Sequence, residues 1–380
     1  MLFLMVLSCW LHSILAMFLS IYHDIEDLNE VVDAAMFFII SSAASCTQLY
    51  FRFRRATLVR TLRLTDAFIW EDLPHTDPDT GSRAMTAWIP RIQRFTTLII
   101  GAAVIVNGTK NLMLIFSSDN HSMVYHTWYP FDTAKSPTYE LINIAQVIAT
   151  IQWACFFYGV PSTYATLVCI ACSQLEKLRA NLLNIRQVFD TPAQESRAET
   201  GRNEGRQVQT SQEVFCRMQE QLNDCIRHHQ LIIQFIHAIE EMFSPYFAGY
   251  FFILMGGLCI TAYTAVLRWG NPAQLSESVL VYVLLSITVF VFCWFGSELS
   301  HQAERVREAA WGCDWVGTPL PFMRCLSFVI KMANKELALT AGKFVPVSKA
   351  TMMNMMQESI SLFMFLLQIK EKEETLEGPE

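Results

Sequence analysis

From Leu141 to Leu175 the chain carries no Asp, Glu, Lys or Arg. As a helix, that run exceeds the ~20 residues that cross the ~30 Å apolar layer of a bilayer. Backbone polar groups at that depth must bond within their own segment, so the run reads as a transmembrane helix. The same character recurs. Residues 1–23 lack a charged side chain, and apolar runs follow at 31–51, 88–116, 242–267, 279–295 and 347–370. Across the chain 52% of residues are hydrophobic and 17% charged, against about 25% charged in soluble domains. Together these features predict an all-α membrane protein with seven spans. The net charge of −7 offers no global basic surface for nucleic acid. Neither a glycine-rich phosphate loop nor a zinc-protease helix motif is present, and no enzyme or cofactor is assigned.

Lys and Arg set the orientation. Loops 52–87, 176–230 and 301–343 hold most of the basic residues, whereas 22–30, 117–137 and 269–277 hold Lys135 alone. The large loops are therefore expected inside, with the amino terminus inside and the carboxyl terminus outside. On this reading, residues 1–175 hold spans one to four, and the chain opens directly in span one. Residues 176–241 form a cytoplasmic helical extension interrupted by a polar, flexible loop at 190–212. Spans five and six occupy 242–300. Residues 301–346 form cytoplasmic anchor helices, with an amphipathic segment from Phe322 to Leu339. Span seven is 347–370, and 371–380 is an acidic extracellular tail.

The eleven cysteines all lie outside the expected extracellular loops, which argues against a disulfide framework. Asn120-His-Ser122 is a glycosylation sequon in an outside loop. Cys225, His228 and His229 could suggest metal by residue type. The Glu240–Glu241 pair reads as a polar cap where span five enters the membrane. Span seven is unusual. Glu358, Ser361, Phe365, Gln368 and Ile369 recur at three- and four-residue steps and share one helical face. A mixed stripe of this kind faces protein or water rather than lipid. Packing against other spans and the lining of a narrow pore both satisfy it.

The order of several segments resembles the insect odorant receptors, a family of seven-span ligand-gated cation channels with inverted topology. YPFDTAKSPTY precedes span four; LNDCIRHHQLIIQFIHAIEEMFSPYFAGYF leads into span five; CWFGSELSHQAERVREAAW closes span six; AGKFVPVSKATMMNMMQESISLFMFLLQ resembles the family's signature end. Cys225, His228 and His229 sit in the second of these segments, which resembles a family motif that holds no metal. The likeness runs from about Tyr129 onward. Ile360 and Leu362 stand where variable subunits often carry tyrosine.

The resemblance implies a variable, odorant-binding subunit in the plasma membrane of olfactory sensory neurons. It would assemble with a co-receptor subunit, as a heterotetramer, through the cytoplasmic helices around 213–240 and 301–345. It also implies a ligand pocket in the outer halves of spans two, three, four and six. Phe37, Phe38, Ile105, Met113, Tyr139, Asn143, Gln146, Tyr282 and Ser286 are available there for a small hydrophobic volatile ligand. The ending SLFMFLLQIK aligns Phe365 and Ile369 with a hydrophobic constriction and Gln368 with a polar ring, with Glu358 and Ser361 further inward.

A gustatory-type channel of related architecture is the nearest alternative. A G-protein-coupled receptor fits less well, because its amino terminus would lie outside and its late Asn-Pro would fall in the last span, not at Asn271-Pro272 before span six. A transporter would call for paired inverted repeats or broken helices, which the sequence does not display.

Overall fold

The structure is a computed structural model, and it describes residues 2–23, 28–70, 84–116, 129–130, 135, 138–186, 203–268, 272–333 and 337–376. Asn120 lies outside them. The described residues are helical nearly throughout: α1 (Leu2–His23), α2 (Leu28–Phe53), α3 (Arg55–Thr65), a 3-10 turn (Met85–Trp88), α4 (Ile89–Phe116), α5 (Thr138–Leu183), α6 (Asn203–Leu267), α7 (Pro272–Gly312), α8 (Leu320–Ala333) and α9 (Lys349–Leu376). A two-stranded hairpin, β1 (Thr340–Ala341) and β2 (Val345–Pro346), joins α8 to α9. Among the described residues four stretches are long and apolar enough to cross a membrane: Met85–Val106, Thr138–Leu183, Ser211–Leu267 and Ser278–Gly312.

Helices α5, α6 and α7 contain 46, 65 and 41 residues. At ~1.5 Å per residue each is at least twice as long as the bilayer's apolar layer is thick. Each combines an apolar stretch with a polar one. They pack along one another, with α5 and α7 running the same way and α6 opposed. Gln174 meets His228, Tyr164 meets both Phe243 and Phe292, and the Leu183 side chain lies beside Gly312. Helix α6 begins at Asn203, inside the segment expected to be a loop. The polar side chains there, mainly Gln, Glu and Arg, are good helix formers, so low apolar content did not mean absence of helix.

The core sits where the three long helices cross. Tyr164, Phe243, Phe247 and Phe292 are fully buried. Their ring centroids lie 4.9–5.7 Å apart where they pair, mostly edge to face, the arrangement that ring quadrupoles favour. The Tyr164 hydroxyl donates to the Phe292 carbonyl at 3.3 Å.

The Gly-Lys-Phe turn closes the hairpin with positive φ at both Gly342 (61°) and Lys343 (65°). A turn that twists with its strands needs this at its two central positions. The Ser348 hydroxyl then accepts from the Thr351 N–H at 3.3 Å, capping α9.

Candidate ligand cavity and pore helix

An apolar cavity of about 40 Å³ lies between α2, α5, α6 and α7. Helix α2 gives Ala43, Ala44 and Thr47; α5 gives Trp153, Phe156 and Phe157; α6 gives Tyr246, Tyr250, Leu254, Gly257 and Thr261; α7 gives Leu285. Tyr246 and Tyr250 are one turn apart and stack at 4.9 Å with 20° between their planes. The Thr47 hydroxyl donates to the Ala43 carbonyl at 2.8 Å, and Thr261 donates to the Gly257 carbonyl at 2.8 Å. With those hydroxyls turned to their own helices, the wall offers mostly rings and methyl groups. That chemistry suits an uncharged organic molecule held by shape and dispersion. An apolar cavity of roughly 150 Å³ takes up benzene, so a ring-sized guest here has to part the aromatic walls.

The residues expected to bind ligand divide into groups. Tyr139, Asn143 and Gln146 are buried on one face of α5. With Thr150 and Trp153 they recur at steps of four and three residues, a line that runs down α5 from its start to the cavity wall. Phe38 is half-buried and packs with Met17, Ala44 and Trp153. Tyr282 is half-buried against the main core one turn before Leu285, and the Ser286 hydroxyl donates to the Tyr282 carbonyl at 2.8 Å. Ile105 and Met113 stand apart. Helix α4 packs against α5 on one side, and these two side chains are 66% and 73% exposed on its outer surface. The Phe37 side chain lies outside the described residues.

Sequence reasoning passed over the α6 wall, Tyr246, Tyr250 and Gly257, because the resemblance placed the pocket in other spans. A signal existed in Phe243, Phe247, Tyr250 and Leu254, which recur at steps of three and four residues.

Helix α9 has two unlike faces. Thr351, Met355 and Ser359 are buried at four-residue steps against α6 and α7. Glu358, Ser361 and Gln368 are exposed, and Phe365 is 58% exposed. Ile360, Leu362 and Met364 are also exposed, so from Ile360 to Phe365 the helix is largely bare. The Ile369 side chain lies outside the described residues.

Toward the polar ends of the long helices, Glu241 pairs with Arg60 and lies 3.9 Å from Arg54, tying α6 to α2 and α3. His228 bonds Gln174 at 2.9 Å. Burial, aided by the Lys177 charge and then His229, lowers its pKa to about 4. Burial first, with Asp224 and Cys313 adding to it, pushes the Cys225 thiol up to about 12. Among the described residues no group of three or more His, Cys, Asp or Glu side chains is placed to hold a metal ion.

The family model for the 7tm odorant receptors matches residues 27–360. The chain belongs to that family. Within it, the chain is 22% identical to odorant receptor Or2 of Anopheles gambiae over 241 residues, 63% of this chain and 58% of that one. It is 23% identical to odorant receptor 2a of Drosophila melanogaster over 273 residues, 71% of this chain and 66% of that one. The odorant receptor coreceptor of Anopheles gambiae is 26% identical over 146 residues, 38% of this chain and 30% of that one. The chain thus spans about 58–66% of the length of the first two relatives. The olfactory receptor OR5 of Machilis hrabei, solved in complex with eugenol, superimposes with a TM-score of 0.66 at 15% identity, covering 96% of this chain and 88% of its own. At that identity the likeness is one of fold.

Proposed function

We propose that this odorant receptor is the ligand-binding subunit of a non-selective cation channel. It has seven spans: one within each of the four stretches named above, together with α1, α2 and α9. The amino terminus is inside and the carboxyl terminus outside, as the Lys and Arg distribution requires. The exposed face of α9 carries the reading. An apolar helix bare over Phe365, Leu362 and Met364, with Glu358, Ser361 and Gln368 interleaved, is not stable as a lipid-facing span or as a soluble surface. It is suited to meet equivalent helices around an axis, Phe365 and Ile369 making an apolar constriction and Gln368 a polar ring. The partner is a co-receptor subunit in a heterotetramer, joined through α6, α7 and α8 beneath the membrane. Its place is the plasma membrane of olfactory sensory neurons. Small uncharged volatiles enter the α2–α5–α6–α7 cavity from the line of Tyr139, Asn143 and Gln146.

The test is co-expression with a co-receptor subunit, a panel of apolar volatiles and a tag at the carboxyl terminus. Ligand-evoked inward cation current and a tag stained on intact cells are expected. A tag reached only after permeabilisation overturns the topology, and full evoked current from this chain alone overturns the heteromer.

A further inference from the structure

The neighbouring carboxylates Glu240 and Glu241 serve different parts of the fold. Glu241 faces Arg54 and Arg60, whereas Glu240 reaches the hairpin ahead of α9. One Glu240 oxygen accepts from the Thr340 N–H at 2.9 Å, and the other accepts from the Thr340 hydroxyl. One turn further along α6, the Ser244 carbonyl accepts from the Gly342 N–H at 2.8 Å, and its hydroxyl accepts from the Lys343 N–H at 3.1 Å. Two α6 side chains and one carbonyl thus hold β1 and its turn. Lys343 in particular depends on this, because the turn keeps it at positive φ, which costs a residue with a Cβ and costs Gly342 nothing.

The hairpin leads straight into α9, whose start is fixed on the other side by α7. The Lys349 N–H donates to the Ser297 hydroxyl at 2.9 Å, and the Lys349 ammonium sits 4.0 Å from the Trp294 ring centroid. Continuing along α6 from Ser244, Tyr246 and Tyr250 form the cavity wall. Ten residues separate Glu240 from Tyr250, about 15 Å of one continuous helix. Pro245 also lies between them, where its ring removes one i→i−4 bond of α6, and the fully buried Phe243 and Phe247 pack the segment on either side of it.

We propose that Glu240, clasping Thr340, is the positioning residue through which α6 sets the stance of α9, so that parting of Tyr246 and Tyr250 by a guest is delivered to the pore helix. The proposal rests on the channel reading above. A charge-assisted pair on a partly buried carboxylate is strong enough that its loss changes an equilibrium by about tenfold.

The test uses the full chain with its co-receptor subunit, eugenol, benzaldehyde and hexyl acetate as probes, and surface labelling for expression. Glu240→Ala is expected to move half-maximal concentration or basal open fraction by about tenfold at parental surface level. Glu240→Gln, which keeps an acceptor for the Thr340 N–H, should restore most of it. If Glu240→Ala fails to reach the surface, Thr340→Val, which removes the hydroxyl donor alone, is expected to shift the same readout about threefold. A second arm measures amide exchange over residues 338–348 in the purified complex. Protection should fall in Glu240→Ala and stay parental in Glu241→Ala.

Unchanged protection in Glu240→Ala overturns the clasp. Lost protection with parental currents, or parental currents from surface-expressed Thr340→Val, overturns the positioning role. Silence of the parent with every probe overturns the channel reading and the gating role with it, and lost protection then still establishes the clasp.

Discussion

Gly296 of α7 and Val347, two residues before α9, touch backbone to backbone: a Cβ on Gly296 would lie 2.3 Å from the Val347 carbonyl oxygen. No real contact of that kind survives, so any side chain at 296 has to displace the entry to α9. Gly296→Ala is expected to lose about 1–3 kcal/mol of stability, the usual cost of overpacking. Gly159→Ala is the control, because nothing lies within 4 Å of its Cβ. That change should be neutral or slightly stabilising, alanine being the better helix former. Thermal unfolding of the two purified variants checks this, and equal midpoints would count against the contact.

The cavity makes a separable prediction. Leu285 is 5% exposed, lines the cavity, and its Cδ1 would lie 3.3 Å from a Cβ on Gly257. Leu285→Ala should enlarge the cavity and shift the ranking of active volatiles toward bulkier rings, while costing about 2–5 kcal/mol of stability. Tyr282→Ala tests the outer placement read from the sequence, and it too should change ranking if the guest rests against that turn of α7. A concentration series over graded ring sizes separates the two. Parental ranking in both variants would move the binding site away from α7.

His228 gives a pH dependence. Its pKa in the fold is about 4, against 6.5 for an ordinary histidine. The unfolded chain therefore takes up the proton first. Stability is full above about pH 6.5 and falls as the pH drops toward 4. With the ring only partly buried, the loss is about 1 kcal/mol rather than the full converted shift. His228→Gln should flatten this part of the profile. Thermal midpoints between pH 7 and 4 in detergent measure it, and an identical slope in the variant would assign the effect to other groups.

The sequence makes the helices legible because an apolar, uncharged stretch leaves a composition mark: the uncharged run 141–175 becomes most of α5, and 242–267 closes α6. Three- and four-residue steps put Glu358, Ser361, Phe365 and Gln368 on one face, and all four are exposed along α9 together with Ile360, Leu362 and Met364. What periodicity does not carry is which face of one helix meets which other helix. Ile105 and Met113 have the right character for a pocket, yet α4 turns them outward. Tyr246 and Tyr250 were passed over because the resemblance directed attention to other spans. The Glu240–Thr340 contact spans 100 residues and depends on a φ > 0 turn, so local pattern held no trace of the pairing.

Phe365 is 58% exposed in the single chain, so trimming it removes little of that chain's own packing. Its effect should therefore appear in gating. A ring of apolar side chains excludes ions because a cation passing it loses hydration with no replacement. If α9 lines the pore as proposed, Phe365→Ala widens the ring and should raise the ligand-free current severalfold, an effect that co-receptor subunits would dilute. Gln368 lies three residues on, near the same face, and its amide oxygen can replace part of an ion's hydration. Gln368→Leu should lower conductance and change the ratio of sodium to potassium permeability without raising the ligand-free current. Reversal potentials under two-ion conditions separate the pair. If both variants, at parental surface level, keep the parental ligand-free current and permeability ratio, α9 of this subunit does not line the pore.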